Sequence, residues 1–202
     1  MCEVGRFLNL NAKILEKVVK NIHRIMVESK NVKRTKRHEF FQNELFEFFC
    51  TEGFVVEKNY KIKFLSRYHT GKKKHLINVS SGLIDNYAAP YDIAVEFDSG
   101  KLIKWKSLEK LIQCNADCCF GIVFGSKGDE ENVRKSLERI KQVSKEILNF
   151  KKNIEYFRER IKNMKFFLGI ITLEFLKAIN LKELLNHDLN NSNVKDFFYK
   201  QS

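Results

Sequence analysis

The sequence predicts an α/β protein with a mixed central sheet, flanked by long helices at both ends of the chain. Three observations predict it. The hydrophobic period changes from helical to alternating after Gly53. CCFGIVFG, at 118–125, is a continuous apolar run bounded by glycine, which suits a strand buried on both faces. A short helical segment just before that run can serve as its crossover. The resulting core order is αβββαβ.

The elements follow in turn. Residues 7–29 predict a helix, with Leu8, Leu15, Val18, Ile22 and Ile25 at spacings of three, four and seven. KNVKRTKR, 30–37, carries five positive charges and no acid, as a linker or a basic helix start. Residues 38–52 predict a second helix with Phe41, Leu45, Phe48 and Phe49 on its apolar face and Gly53 as its stop. FVVEKNYKIKF, 54–64, alternates as a strand. SRYHTGKKK, 66–74, reads as a basic turn, 75–85 as the second strand and NYAAP as a loop. YDIAVEF, 91–97, is the third strand. Asp98-Ser99-Gly100 signals a tight turn, and KLIKW, 101–105, is expected to return as its hairpin partner. Ser107 is an expected N-cap of the crossover helix.

From Asp129 to Lys165 a single long helix is expected, its seam running from Ile140, Val143 and Ile147 through Phe150, Ile154, Phe157 and Ile161 to Met164. That seam can pair with residues 7–29 or with a second copy of the chain. FFLGIITLEFL, 166–176, reads as a strand or strand–helix junction and is too short to cross a bilayer. Residues 181–202 read as a short helix and a polar tail. The expected division is an N-terminal helix at 1–32, an α/β core at 33–128, and a C-terminal part at 129–202 that packs on one of them.

Composition narrows the partners. The chain has 202 residues and a formal charge of +12, with 44% hydrophobic and 31% charged residues. That is long enough for a full core and too mixed for a disordered or membrane-embedded chain. The positive surplus favours a polyanion, nucleic acid before an anionic membrane surface. Lys33, Arg34, Lys36, Arg37, Lys72, Lys73 and Lys74 are the expected phosphate contacts, with Arg67, Tyr68 and His69 nearby. Trp105 is expected in packing rather than base stacking. The odd set Cys2, Cys50, Cys114, Cys118 and Cys119, with no secretory leader in MCEVGRFLNL, predicts free thiols and a cytoplasmic setting. The five histidines show no metal-ligand spacing, and no phosphate-loop or dinucleotide motif occurs.

The chemistry-bearing pattern lies at 85–110. Asp92, Glu96 and Asp98 share parity along one strand and its turn, while Ile93, Val95 and Phe97 point the other way. Lys104 and Lys106 would share one face of the returning strand. Crowded carboxylates repel unless a cation shares the site, which is the arrangement phosphodiester hydrolysis with Mg²⁺ requires. Cross-strand ion pairs on an exposed face are the alternative origin of the same pattern.

This order and motif resemble the PD-(D/E)XK nuclease superfamily, the restriction-endonuclease-like fold, over residues 36–125. HEFFQNELFEFFCTEGFVVEK looks like that family's first helix and strand, and GLIDNYAAPYDIAVEFDSGKLIKWKSLEKL like its motif hairpin and crossover helix. The resemblance implies an acid on the first helix, Glu39 or else Glu44. It fits in two registers. In one, Asp92 is the family Asp, Lys104-Trp105-Lys106 stands where Glu-x-Lys belongs, and Glu96 supplies the carboxylate. In the other, Asp85 is the Asp and Glu96-Phe97-Asp98 is the Glu-x-Lys, with Asp98 in place of Lys and Lys106 or Lys110 standing in.

The expectation is a Mg²⁺-dependent DNA endonuclease, with Mn²⁺ a possible substitute. Asp92 or Asp85 would hold the metal with Glu96, and Lys106 would stabilise developing charge. The degenerate motif equally admits an inactive, DNA-binding member. A helical interaction protein is the third expectation.

Overall fold

The computed structural model describes residues 12–69, 72–126, 130–150, 155–189 and 193–199. It shows a mixed α/β protein built on one open sheet of six strands, β1 (Val55–His69), β2 (Lys72–Ala89), β3 (Ile93–Asp98), β4 (Cys118–Val123), β5 (Lys165–Ile170) and β6 (Phe175–Ile179), in that spatial order. β1, β2 and β3 pair antiparallel, β3, β4 and β5 parallel, and β5 and β6 antiparallel. Among the described residues there are six α-helices: α1 (Ala12–Ser29), α2 (Arg37–Thr51), α3 (Trp105–Gln113), α4 (Glu130–Phe150), α5 (Glu155–Asn163) and α6 (Leu181–Asn186). None is long and apolar enough to cross a membrane.

The helices form two layers. On one face α1 and α2 place Ile22, Ile25, Met26, Phe41, Leu45 and Phe49 against Val95, Phe97, Phe120 and Ile122 of the sheet. On the other, α3, α4, α5 and α6 bring Leu108, Leu111, Leu137, Ile140, Ile161 and Leu184 against Ala94, Cys119, Val123 and Phe166. β4 lies between the layers and is buried at every position, as its unbroken apolar run predicts. Cys118 and Cys119 are fully buried there, and burial pushes both thiols well above the usual range. Gly53, with φ 80°, ends α2 as expected.

Several expectations are corrected. KLIKW is not a strand. Parallel β4 takes one edge of β3; on the other, β2 pairs Ile93–Val95 and the Asp85 side chain accepts the Phe97 N–H, so that edge does not take 101–105 as a hairpin partner. The segment instead turns into α3, which begins at Trp105 rather than at Ser107. NYAA is not a loop. It continues β2, because Tyr87 packs on Tyr60 and Ala88 is buried beside Ile93. The stretch 166–176 resolves into β5, a short 3-10 turn and β6, with Glu174 left-handed at φ 51° where the chain reverses.

The long helical pattern divides into α4 and α5, with 151–154, Asp129 and Leu8 outside the described residues, as are the side chains of Phe150 and Phe157. Its pairing with residues 7–29 is also corrected. α1 and α4 lie on opposite faces of the sheet, and Ile140, Val143, Ile147, Ile161 and Met164 are consumed by the chain's own core. The C-terminal residues therefore extend the central sheet.

Phe120 is fully buried and stacks on Phe167 at 4.6 Å between ring centroids. Phe120→Ala is expected to destabilise the protein by about 3–5 kcal/mol, through lost transfer energy and the cavity left behind. Chemical denaturation measures it.

Candidate active site

β2 and β3 pair over only three positions, Asn86↔Val95, Tyr87↔Ala94 and Ala88↔Ile93. Beyond Asn86 the two strands part. The Asp85 side chain occupies the gap: its Oδ2 accepts the Phe97 backbone N–H at 2.7 Å, a hydrogen bond the β2 backbone no longer makes. The facing of the hairpin changes at the same level. Ile84 and Tyr87, three residues apart, both reach the α3 layer, and across the hairpin Asn59 is left-handed at φ 57°. Strict alternation would put residues three apart on opposite faces.

Four elements converge on this gap. β3 contributes Glu96 and Asp98, each only 3% exposed. α3 contributes Lys110, whose Nζ donates to Glu96 Oε1 at 2.6 Å and to the Leu83 carbonyl. The Lys110 stem crosses β2 at Gly82, where an added Cβ would lie 2.9 Å from Lys110 Cδ and 2.8 Å from Phe64. Glycine there makes room for the lysine. α2 contributes His38 and Gln42, one helical turn apart. His38 Nε2 lies 3.1 Å from Asp85 Oδ1, and Gln42 donates to the Asp85 carbonyl at 2.8 Å. Lys104, ahead of α3, holds Asp98 with its Nζ at 2.9 Å and its backbone N–H at 2.8 Å. That backbone contact lies at the N-cap of α3.

The electrostatics follow from burial. Glu96 is pushed up to about 8, first by burial and then by the negative charge of Asp85, with Asp98 adding to it, against the pull of Lys110. His38 is raised, chiefly by its hydrogen bond to Asp85. Lys104 is raised by its hydrogen bond to Asp98. Burial is thus the leading reason the Glu96 carboxyl binds its proton more tightly. Asn86 Oδ1, buried beside Asp85, makes no hydrogen bond among the described residues. No three His, Cys, Asp or Glu among those residues already converge as a ligand cluster for a metal ion.

Not every expected residue is here. Asp92 precedes β3 in a turn with φ 47°, so strand parity does not apply to it; its Oδ1 accepts from Tyr87 Oη at 2.6 Å, a turn contact at the opposite end of β3. Lys106 is exposed on the first turn of α3, and Lys110, one turn later, makes the contact with Glu96. Glu39 is exposed and Glu44 half-buried; the α2 residues that reach the site are His38 and Gln42. Gln42 and Asn86 were not singled out in the sequence. The signal for Gln42 was its i+4 spacing from His38.

Lys33, Arg34 and Lys36 are exposed just ahead of His38, whereas Arg37 packs over the Phe124 ring at 3.7 Å. The side chains of Arg67, Tyr68, His69, Lys72, Lys73 and Lys74 lie outside the described residues. Trp105 is half-buried on the α3-side core, with Arg139 5.1 Å above its ring.

No protein-family model, curated protein or solved structure matches this chain.

Two pH-dependent outcomes follow. The His38 imidazole should titrate above its ordinary ~6.5 and fall back in Asp85→Asn, read by NMR. Because its folded value is raised, its contribution to stability is complete below the unfolded value and is lost as pH climbs through the folded one. Glu96 acts with the same sign. Its carboxyl binds a proton more tightly folded than unfolded, so stability should fall between pH 4.5 and 8, and Glu96→Gln should flatten that slope in denaturation at a series of pH values.

Proposed function

We propose that this chain is a metal-dependent DNA endonuclease whose site follows the PD-(D/E)XK pattern in the register of Asp85 and Glu96-Phe97-Asp98, with Lys110 standing in for the motif lysine. One observation carries the reading: Asp85, Glu96 and Lys110 meet where β2 and β3 part. The order α2, β1, β2, β3, α3, β4 supports a restriction-endonuclease-like core. The Lys33–Lys36 cluster supports an anionic substrate beside the site.

The donor set fits Mg²⁺ or Mn²⁺. Carboxylate oxygens are the ligands these hard cations prefer, and a divalent ion would offset the burial and the Asp85 charge that raise Glu96. Asp85 and Glu96 would hold the ion. When bound it supplies charge stabilisation at the scissile phosphate and activates water for in-line attack. The remaining work belongs to the chain itself. Lys110 lies 2.6 Å from Glu96, placed to stabilise negative charge that develops on the phosphate. His38 and the Phe97 N–H orient the two oxygens of Asp85. A second reading, a nuclease-like protein that binds DNA without cutting it, is favoured by Asp98, which stands at the motif lysine position and is already paired with Lys104.

Nicking of plasmid and branched DNA in Mg²⁺ or Mn²⁺ separates the two. Asp85→Ala, Glu96→Ala and Lys110→Ala are each expected to lower the rate on the order of 10²–10³-fold, and Asp92→Ala and Lys106→Ala to leave it near wild type. Equal background nicking by wild type and Glu96→Ala would sink the endonuclease reading. Salt-dependent binding indifferent to divalent ions would then select the second.

A further inference from the structure

Beyond Asn86 the β1–β2 hairpin leaves the sheet as a two-stranded ribbon. From Lys61 to His69 it spans ~26 Å at ~3.3 Å per residue, about three-quarters of one ~34 Å turn of B-DNA. Its two faces differ. Tyr60, Ile62, Phe64 and Ile84 turn inward toward α3 and the core. The outward face, on the α2 side of the sheet, pairs Lys61 with Leu83, Lys63 with Ser81 and Leu65 with Val79. Lys61, Lys63 and Ser81 are exposed, and Val79 and Leu83 are 72% and 43% exposed.

We propose that this outward face is a docking surface for double-stranded nucleic acid, with Lys61 and Lys63 on backbone phosphates and Val79 and Leu83 against the groove wall. Charge complementarity selects the occupant. From Lys58 to Ile84, both included, the sequence holds seven Lys or Arg and no Asp or Glu, which disfavours an identical ribbon from a second copy by like-charge repulsion. The side-chain types select duplex over single strand. Binding of unpaired bases relies on aromatic platforms, and the aromatics Tyr60 and Phe64 face inward. A two-stranded ribbon also has the cross-section that a duplex major groove admits. Asp85 lies where this ribbon joins the sheet, so a duplex on the face would run past Asp85.

The inference rests on the nucleic-acid substrate proposed above and deepens it, so its test is made on binding alone. Full-length protein is titrated with a fluorescent duplex and with the matching single strand, without divalent ions, over a series of salt concentrations. Lys61→Ala/Lys63→Ala is compared with Lys145→Ala, an exposed lysine on the opposite layer. The double variant should weaken duplex binding and make the log K against log salt slope shallower by ~1.8, at ~0.9 for each phosphate no longer neutralised. Lys145→Ala should change neither. An unchanged slope in the double variant overturns the proposal, and so does an equal loss on the single strand. So does a loss of self-association by light scattering with duplex binding intact. Binding through the ribbon without nicking would retire the endonuclease reading and leave the docking surface standing. Nicking that needs Glu96 but not the ribbon lysines, with binding also unaffected, would do the reverse.

Discussion

The early parting of β2 and β3 is the constraint on which the rest of the site depends. Three residue pairs join the strands, and then a side chain, Asp85, makes the hydrogen bond that the backbone no longer does. A buried backbone N–H left without a partner costs roughly 1–3 kcal/mol, so Asp85 is structural at one oxygen. The other oxygen faces His38. The opening also gives Glu96 a neighbouring carboxylate and admits Lys110 from α3 on the far side of the sheet.

Burial turns this arrangement into one with chemical consequences. Glu96 and Lys110 are almost wholly enclosed, so the lysine acts strongly on the carboxyl beside it. A buried pair of this kind adds little stability by itself, since well-packed apolar residues often do as well, whereas deleting one partner strands the other charge. The apolar shell is made by the two helical layers, and Gly82 opens the path for the lysine stem. The site also lies at the carboxyl ends of the parallel strands, where α/β sheets commonly bind ligands. Its neighbouring surfaces, the basic approach to α2 and the outward face of the ribbon, lie on the α2 side of the sheet.

Much of this was legible in the residues. The apolar run of β4, the stop at Gly53 and the amphipathic faces of α2 and α4 depend on local periodicity, and the structure keeps all of them. Glu96 belongs to both registers of the motif and reaches the site in the structure. The choice between Asp85 and Asp92 was not legible. Parity treats Asp92 as part of its strand, but a left-handed residue in the turn before β3 breaks the alternation. The lysine was equally ambiguous. Lys106 and Lys110 share a helix face at i and i+4, and which one meets Glu96 depends on the angle at which α3 crosses β2 and on a glycine 28 positions earlier in the chain than Lys110.

The sequence by itself determined the α/β class, the order of the core elements, the buried central strand and a basic chain with carboxylates concentrated near β3, because each is written in composition or in a short repeat. Tertiary structure alone decided that 101–105 turns away from β3, that α1 and α4 lie on opposite layers, and that Asp85, Glu96 and Lys110 form the group. The physical reason is shared. Sheet edges are filled once, and whichever strand takes an edge excludes the others. Local patterns carry no record of that competition, and it sets which distant side chains finally meet.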